Sequence, residues 1–313
     1  VRTNADLEAM VETSDSWIRE RTGIGQRRIA PEGMVTSDMA TAAAKEALLR
    51  ADLTPRDVDM IVVGTITPDM PMPATAAFVQ QKLGAKPTCP SFDVSAACAG
   101  FVYALGIADK FVGSGAAKHV LVIGVEMLSR VVNWRDRTTC VLFGDGAGAV
   151  VVGPATGDGR GILATNMFTD GSLARSLMIP GGGTELPQGS PAIMAEHLAT
   201  IQMKGQDIFK AAVKNLYSAS QSVVDSVGLK NEEVDFVVPH QANLRIIDQV
   251  TARAKYPKEK VLSNIERVGN TSSASIPILL DESMRSGLIR ENHIVLTCAL
   301  GAGVSWGAAL LRM

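Results

Sequence analysis

The sequence predicts an α/β fold made of two duplicated halves, and three observations carry that expectation. Val- and Ile-rich runs, apolar at nearly every position, alternate with Ala-rich amphipathic stretches, as buried and largely parallel strands covered by helices require. LTPRDVDMIVV (53–63) and LKNEEVDFVV (229–238) match at a spacing of 176 residues, each behind an amphipathic helix. FVGSGAAKHVLVIG (111–124) and MRSGLIRENHIVLTC (284–298) match in the same order at spacings of 172 to 174, which is the mark of an internal repeat. The halves are expected to be residues 1–158 and 159–313.

Along the chain, Asn4 is expected to cap a first short helix, and SDMATAAAKEALLRA (37–51) to form the helix before the strand MIVVGT (60–65). DVSAACAGF (93–101) runs from a strand into a helix whose apolar residues Phe101, Ala104, Leu105, Ala108 and Phe111 recur at helical spacing. HVLVIGV (119–125) is a buried strand, and VLFGDGAGAVVV (141–152) another strand-like run containing GDGAGA (144–149). That glycine cluster lacks the Lys-Ser/Thr of a phosphate-binding loop and leads into a strand rather than a helix, so a tight turn between strands is expected. PGGGTELPQGSP (180–191) reads as a surface loop between the halves, a flap or linker. FKAAVKNLYSASQSVVDSV (209–227) is the helix before the strand VDFVVPH (234–240); a further helix carries Leu244, Ile247 and Val250 inward, and HIVLTC (293–298) is a late strand. CALGAGVSWGAALL (298–311) places small residues on a hairpin-like turn, where a backbone can approach a ligand closely.

Composition narrows the function. The 313 residues are 46% hydrophobic and 20% charged, which suits one large or two ordinary cores and excludes disorder. A formal charge of −2 gives no bulk attraction to nucleic acid or to an anionic membrane, so a polyanionic partner must meet a local basic patch. Cys89, Cys98, Cys140 and Cys298 are unevenly placed without a CxxC pair, which argues against a disulfide framework and a zinc site and points to the cytoplasm. Apolar runs stop well short of the ~18 residues of a membrane span, so no membrane role is expected.

Three segments hold candidate chemistry. Cys98 stands where a strand gives way to a helix, and the positive helix start favours a thiolate and can cradle an oxyanion; a small packed core thiol among alanines has the same local sequence. His240 ends a buried strand and Asn243 follows at the next helix start, although a satisfied core histidine would look alike. Asn270 precedes a Ser/Thr-rich helix start, which is also the pattern of an ordinary N-cap. The repeat connects them: advancing Cys98 by 172 reaches Asn270, and setting His240 back by 176 reaches Gly64, the end of the matching strand. Packing about a pseudo-twofold axis would bring strand ends and helix starts to one centre, beyond the carboxyl ends of the strands where ligands bind in such sheets.

Together DVSAACAGF, VPHQANLRII, GNTSSASIP and GAGVSWGAALLR resemble the 3-oxoacyl-[acyl-carrier-protein] synthase III family, as does TNADLEAMVETSDSWIRERTGI near the start. The resemblance spans essentially the whole chain. It implies the thiolase fold, a five-layer αβαβα arrangement of two pseudo-twofold related halves, and a homodimer. It implies that Cys98 accepts an acyl group from acyl-CoA, acetyl foremost. His240 and Asn270 then promote decarboxylation of malonyl carrier protein, whose enolate attacks the thioester to give 3-oxoacyl carrier protein, CO2 and CoA. The backbone N–H groups of Cys98 and Ala302 form the oxyanion hole, and no metal or organic cofactor takes part. For the CoA donor the resemblance implies Trp17 and Arg137 about the adenine, Thr13 and Arg21 at the nucleotide end, and Asn243 and Phe209 along the pantetheine channel. Arg245 and Arg253, eight residues apart on one helix, correspond to the docking face for the acidic acyl carrier protein. Leu300 stands where members carry an aromatic residue, and Met72 where a residue reaches into the partner's acyl pocket. Members also begin with a β-strand ahead of VRTNADLE that this sequence lacks.

Three other functions compete. A degradative thiolase needs a second catalytic cysteine near the C-terminus, and Cys298 lies in that neighbourhood, but the HQAN and GNTSSAS pair fits decarboxylating condensation. A non-catalytic acyl-CoA or carrier-protein binding subunit has no need of an intact Cys98, His240 and Asn270. Condensing enzymes of secondary metabolism share the catalytic chemistry and differ in the acyl pocket.

Overall fold

The computed structural model describes residues 1–313 and contains two four-stranded mixed sheets. The first is built from β1 (Met60–Gly64), β2 (Ser91–Val94), β3 (Val120–Met127) and β4 (Asp145–Val152), in the order β2-β1-β3-β4. The second uses β5 (Gly161–Thr169), β6 (Phe236–Pro239), β7 (Ile294–Gly301) and β8 (Ser305–Arg312), in the order β6-β7-β8-β5. In both, two parallel strands lead into an antiparallel one: β1 lies parallel to β3 and β3 antiparallel to β4, as β6 lies parallel to β7 and β7 antiparallel to β8. The repeat seen in the sequence is therefore a repeat of sheet topology.

The edges differ. β2 flanks β1, whereas the matching place beside β6 holds a single parallel bridge between Val237 and Val261. β5 flanks β8, whereas the outer edge of β4 has no partner strand.

Helices form the other three layers because the inner strands β1, β3 and β7 are buried on both faces. Met60 and Val62 of β1 and Val120 and Val122 of β3 turn inward, onto α4 (Gly100–Gly113) and α7 (Ser275–Arg285), which lie between the sheets with Phe101, Leu105, Ile276 and Leu279 buried. Ile61 and Val63, with Leu121, Ile123 and Val125, turn outward onto α2 (Thr36–Arg50) and α3 (Thr75–Leu83). The outer face of the second sheet is covered in the same way by α5 (Gly205–Ser226) and α6 (Leu244–Arg253). Period-2 alternation with both faces apolar is what a sheet buried between helical layers demands. A fourth cluster, including Leu7, Ile18, Leu128, Phe143 and Ile201, packs α1 (Asp15–Thr22) and the 128–143 segment together.

Three local expectations are corrected. Thr3, not Asn4, caps the first short helix by accepting from Asp6 N; Asn4 is buried and its Oδ1 accepts from the guanidinium of Arg27. GDGAGA is not a turn: from Asp145 it is strand β4, and its glycines admit α7, since a Cβ on Gly146 would lie 2.9 Å from Ile278 Cδ1 and one on Gly148 2.8 Å from Pro277 Cβ. The counterpart of Cys98 is Ser273 and not Asn270. The short turns 97–99 and 272–274 that feed α4 and α7 open on Ala97 (φ +46°) and Ser272 (φ +50°), which aligns Cys98 with Ser273.

Candidate active site

Cys98 is the middle residue of the 97–99 turn, and its preceding alanine holds the left-handed conformation that aims the turn. The end of β7 passes so close that a Cβ on Gly301 would lie 2.6 Å from Cys98 N, so only glycine fits beside the Cys98 backbone. Ala302 follows directly, and Cys98, Ala302 and Ser272 line one cavity of about 260 Å³ with Ile66, Leu128, Phe143, Leu177, Ile179 and Ile201.

His240 follows the end of β6, its N–H bonded to Cys298 O at 2.8 Å. Asn270 is fixed through its backbone to the segment before β4, with Asn270 N donating to Leu142 O and Gly144 N to Asn270 O, both at 2.9 Å. Its side-chain Oδ1 accepts from Ser272 N at 2.9 Å, which leaves the NH2 to reach Ala242 O at 3.4 Å, just beyond His240. Asn270 is not the N-cap, which is Thr271; its side chain instead closes an i to i+2 turn onto Ser272 N and points its donor group toward the histidine segment. All three residues are buried, with exposures of 8% (Cys98), 4% (His240) and 5% (Asn270).

Burial sets the protonation states. His240 is driven down to about 3 by desolvation, so its imidazole is neutral at physiological pH. Its Nδ1 lies 2.7 Å from Ser275 Oγ, and Gln241 N donates to the same oxygen at 3.3 Å. A serine that accepts from Gln241 keeps its own proton free for Nδ1, and in that tautomer the ring proton sits on Nε2, an atom without a partner in the protein. An N–H donor in a dry pocket suits an oxygen that gains negative charge. Cys98 corrects the expectation of a stabilised thiolate. Burial pushes its thiol up to about 12, with the nearby Glu126 charge acting in the same direction and the Ser272 hydroxyl against it. Full desolvation of the anion outweighs what one helix start supplies.

Trp17 and Arg21 lie on α1, and Arg137 packs against Trp17. Two guanidinium groups approach the Trp17 ring, Arg21 at 5.2 Å and Arg137 at 5.3 Å from its centroid. Thr13 contributes a buried hydroxyl without a hydrogen-bond partner. Asn243 caps α6, accepting from Arg245 N at 2.9 Å and donating to Arg21 O at 3.0 Å. Arg245 stacks on Phe209 and Arg253 on Tyr217, so both arginines lean toward α5 from the same side of α6. Met72 is 83% exposed, whereas Leu300 is buried in the core under α5 and does not line the cavity beside Cys98. Leu128, Phe143 and their neighbours line the cavity beside Cys98 instead. Cys298 packs in that same core, away from the Cys98 cavity, its thiol pushed up to about 11 by burial.

Sequence reasoning missed Glu126, Ser272 and Ser275. Glu126 had a visible signal, a lone acid closing the apolar run HVLVIGVEM, while the serines lay inside a motif with nothing to rank them among its other hydroxyls.

Comparison with known proteins matches this geometry to one family. Residues 92–171 match the model of 3-oxoacyl-[acyl-carrier-protein] synthase III, and residues 224–313 match the model of its C-terminal part. The beta-ketoacyl-[acyl-carrier-protein] synthase III of Caldanaerobacter subterraneus is 49% identical over 312 residues, covering 100% of this chain and 93% of that protein. The Aquifex aeolicus protein of the same name is 50% identical over 312 residues, covering 100% and 95%. The chain belongs to the 3-oxoacyl-[acyl-carrier-protein] synthase III family.

Crystal structures of synthase III from Aquifex aeolicus (TM-score 0.91, 49% identity, 99% and 95% of the two chains) and Thermus thermophilus (TM-score 0.92, 42%, 99% and 94%) share its fold. So does the priming beta-ketosynthase of the R1128 polyketide pathway, with a TM-score of 0.92 and 35% identity over 100% and 92% of the two chains. The protein is thus a condensing acyltransferase of fatty-acid synthesis with the thiolase fold, and the five layers described above are that fold. No cluster of three or more His, Cys, Asp or Glu able to hold a metal ion is present, and no helix is long and apolar enough to cross a membrane.

Proposed function

We propose that Cys98 is the nucleophile, taking an acyl group from acyl-CoA, and that His240 and Asn270 hold the enolate oxygen formed when malonyl carrier protein loses CO2. The observation that carries this reading is a buried, neutral histidine whose Nε2 has no partner in the protein, joined through Asn270, which reaches Ala242 O and accepts from Ser272 N, to the cavity that Ser272 lines with Cys98. Two neutral donors stabilise an enolate without an ion pair that would hold the malonyl carboxylate in place. The carbanion attacks the Cys98 thioester, and the backbone N–H groups of Cys98 and Ala302 receive the second oxyanion. Metal and organic cofactors have no step in this scheme.

The adenine of CoA enters the slot of Trp17 and Arg137, with Thr13 and Arg21 at the nucleotide and Asn243 and Phe209 along the pantetheine. Arg245 and Arg253 meet the acidic carrier protein. The apolar lining of the cavity suits a short acyl group such as acetyl, and exposed Met72 extends toward the pocket of a second subunit in a cytoplasmic homodimer. Residues 1–158 and 159–313 form the two halves, a division supported by the matching sheet orders. The likeness to a priming ketosynthase favours a second reading, in which the primer belongs to a specialised pathway.

Intact-protein mass spectrometry tests both. Acetyl-CoA, then longer and branched acyl-CoAs, should add one acyl group at Cys98 that leaves with CO2 release on adding malonyl carrier protein, and the preferred primer separates the two readings. Cys98→Ser should lose acyl transfer while remaining folded, and His240→Ala should block decarboxylation more than acylation. Rapid product formation by the serine variant would overturn the nucleophile assignment.

A further inference from the structure

Glu126 is a carboxylate with 0% exposure near the end of β3, where the matching position on β7 is Leu300. It has no cationic partner. Its oxygens accept instead from Thr67 Oγ1 (2.6 Å), Ser272 Oγ (3.1 Å), Ile66 N (3.2 Å) and Thr65 Oγ1 (3.3 Å). A buried acid without a cation is costly, and hydroxyl donors that can also accept are what a group changing its protonation state needs.

Ser272 ties this acid to the reaction. Its hydroxyl donates to Glu126 at 3.1 Å, its N–H orients Asn270, its turn packs against the Cys98 turn, and it lines the same cavity as Cys98. Acylation must remove the thiol proton, which burial holds firmly, and His240 makes no hydrogen bond to the thiol, its Nδ1 being paired with Ser275 and its Nε2 with no group. Glu126, raised to about 7 by burial, is ionised just above neutral pH and able to receive a proton.

We propose that Glu126, acting through the Ser272 hydroxyl, takes the proton that Cys98 gives up when it is acylated. The step balances. The Cys98 sulfur forms a bond to the acyl carbon as the bond to the CoA sulfur breaks and its electron pair leaves with CoA. The thiol proton passes to Ser272 Oγ and the serine proton to Glu126. The departing CoA thiolate then recovers that proton from Glu126 by the same route, returning Glu126 to the carboxylate, so the pocket never holds two anions. This rests on Cys98 being the nucleophile.

Other ionisable groups around β3 are accounted for. The adjacent strand β4 brings Asp145, held by Ser129 and Ala30. The packed helices α2, α4 and α7 bring surface charges held in ion pairs, Asp38 with Lys82 of α3, Lys110 with Asp109 and Arg50 with Asp281. On α2 Lys45 stays outside such pairs and Glu46 pairs with Arg285, and on α7 Glu282 pairs with Arg267. The phenol of Tyr103 on α4 hydrogen-bonds Phe168 O and Thr169.

The test is single-turnover acylation of Cys98 by acetyl-CoA, read by mass across pH 5 to 10, for the wild-type protein, Glu126→Gln and Ser272→Ala. Wild-type acylation should rise through a midpoint near 7. Glu126→Gln should be about 100-fold slower at pH 7.5, the scale of general-base assistance, and its rate should keep rising above pH 9 without the neutral midpoint. A Glu126→Gln rate and midpoint equal to wild type, or a slower rate with the midpoint retained, overturns the proton role. If Glu126→Gln fails to fold, Ser272→Ala decides by the same criteria. Wild-type protein that is not acylated at Cys98 would refute the nucleophile assignment instead.

Discussion

Ser275→Ala isolates the device that sets the histidine tautomer. The serine hydroxyl is 2.7 Å from His240 Nδ1 and accepts from Gln241 N at 3.3 Å, and removing one oxygen leaves a hole smaller than a water molecule, so the fold is expected to hold. What is lost is the only partner of a buried ring nitrogen, a penalty of about 1–3 kcal/mol. If that penalty falls on the tautomer and orientation needed in the transition state, at 1.36 kcal/mol per tenfold it slows decarboxylation by roughly 5- to 150-fold. The assay is CO2 release from a malonyl thioester beside single-turnover acylation of Cys98. Decarboxylation should fall within that range while acylation changes by less than about threefold, because the variant leaves the Cys98 turn and Ser272 in place. Equal loss in both half-reactions, or none in either, would refute the assignment of the Nε2 proton.

Other perturbations probe other parts of the site. Glu126→Gln should change stability in a pH-dependent way. The native carboxyl, raised to about 7, holds a proton that the unfolded chain releases near 4.5, so its contribution is full below about 4.5 and is lost as pH rises through about 7. The variant should therefore gain on wild type by roughly 3 kcal/mol between pH 4.5 and 8, read as the difference in Tm; a constant difference would refute the raised pKa. Gly301→Ala should cost about 1–3 kcal/mol and slow acylation, because the new methyl meets backbone atoms of Cys98 and Ala96; unchanged urea midpoint and activity would show that the turn yields. Trp17→Ala should raise KM for acetyl-CoA by roughly 5- to 100-fold, the range expected for loss of one base stack, with kcat nearly unchanged, and a fall in kcat alone would place the adenine elsewhere.

The amino-acid sequence determined the architecture because burial on both faces is written as continuous apolar strands and duplication as repeated motifs. MIVVG and IVLTCALG could only be inner strands, and the four short motifs around Cys98, His240, Asn270 and Ala302 were legible because each joins an element end to a residue type with few other uses. Tertiary structure decided what depends on contact and solvent. Glycines 146 and 148 belong to a strand because α7 presses on them, and Ser273 replaces Asn270 as the counterpart of Cys98 because two left-handed residues set the register of the turns. Leu300 turned out to be core, since strand alternation directs it toward α5. The protonation states were also beyond sequence. Whether a thiol, an imidazole or a carboxyl is charged depends on the water removed and the hydroxyls that replace it, and these come from segments up to 146 residues apart, as between Glu126 and Ser272.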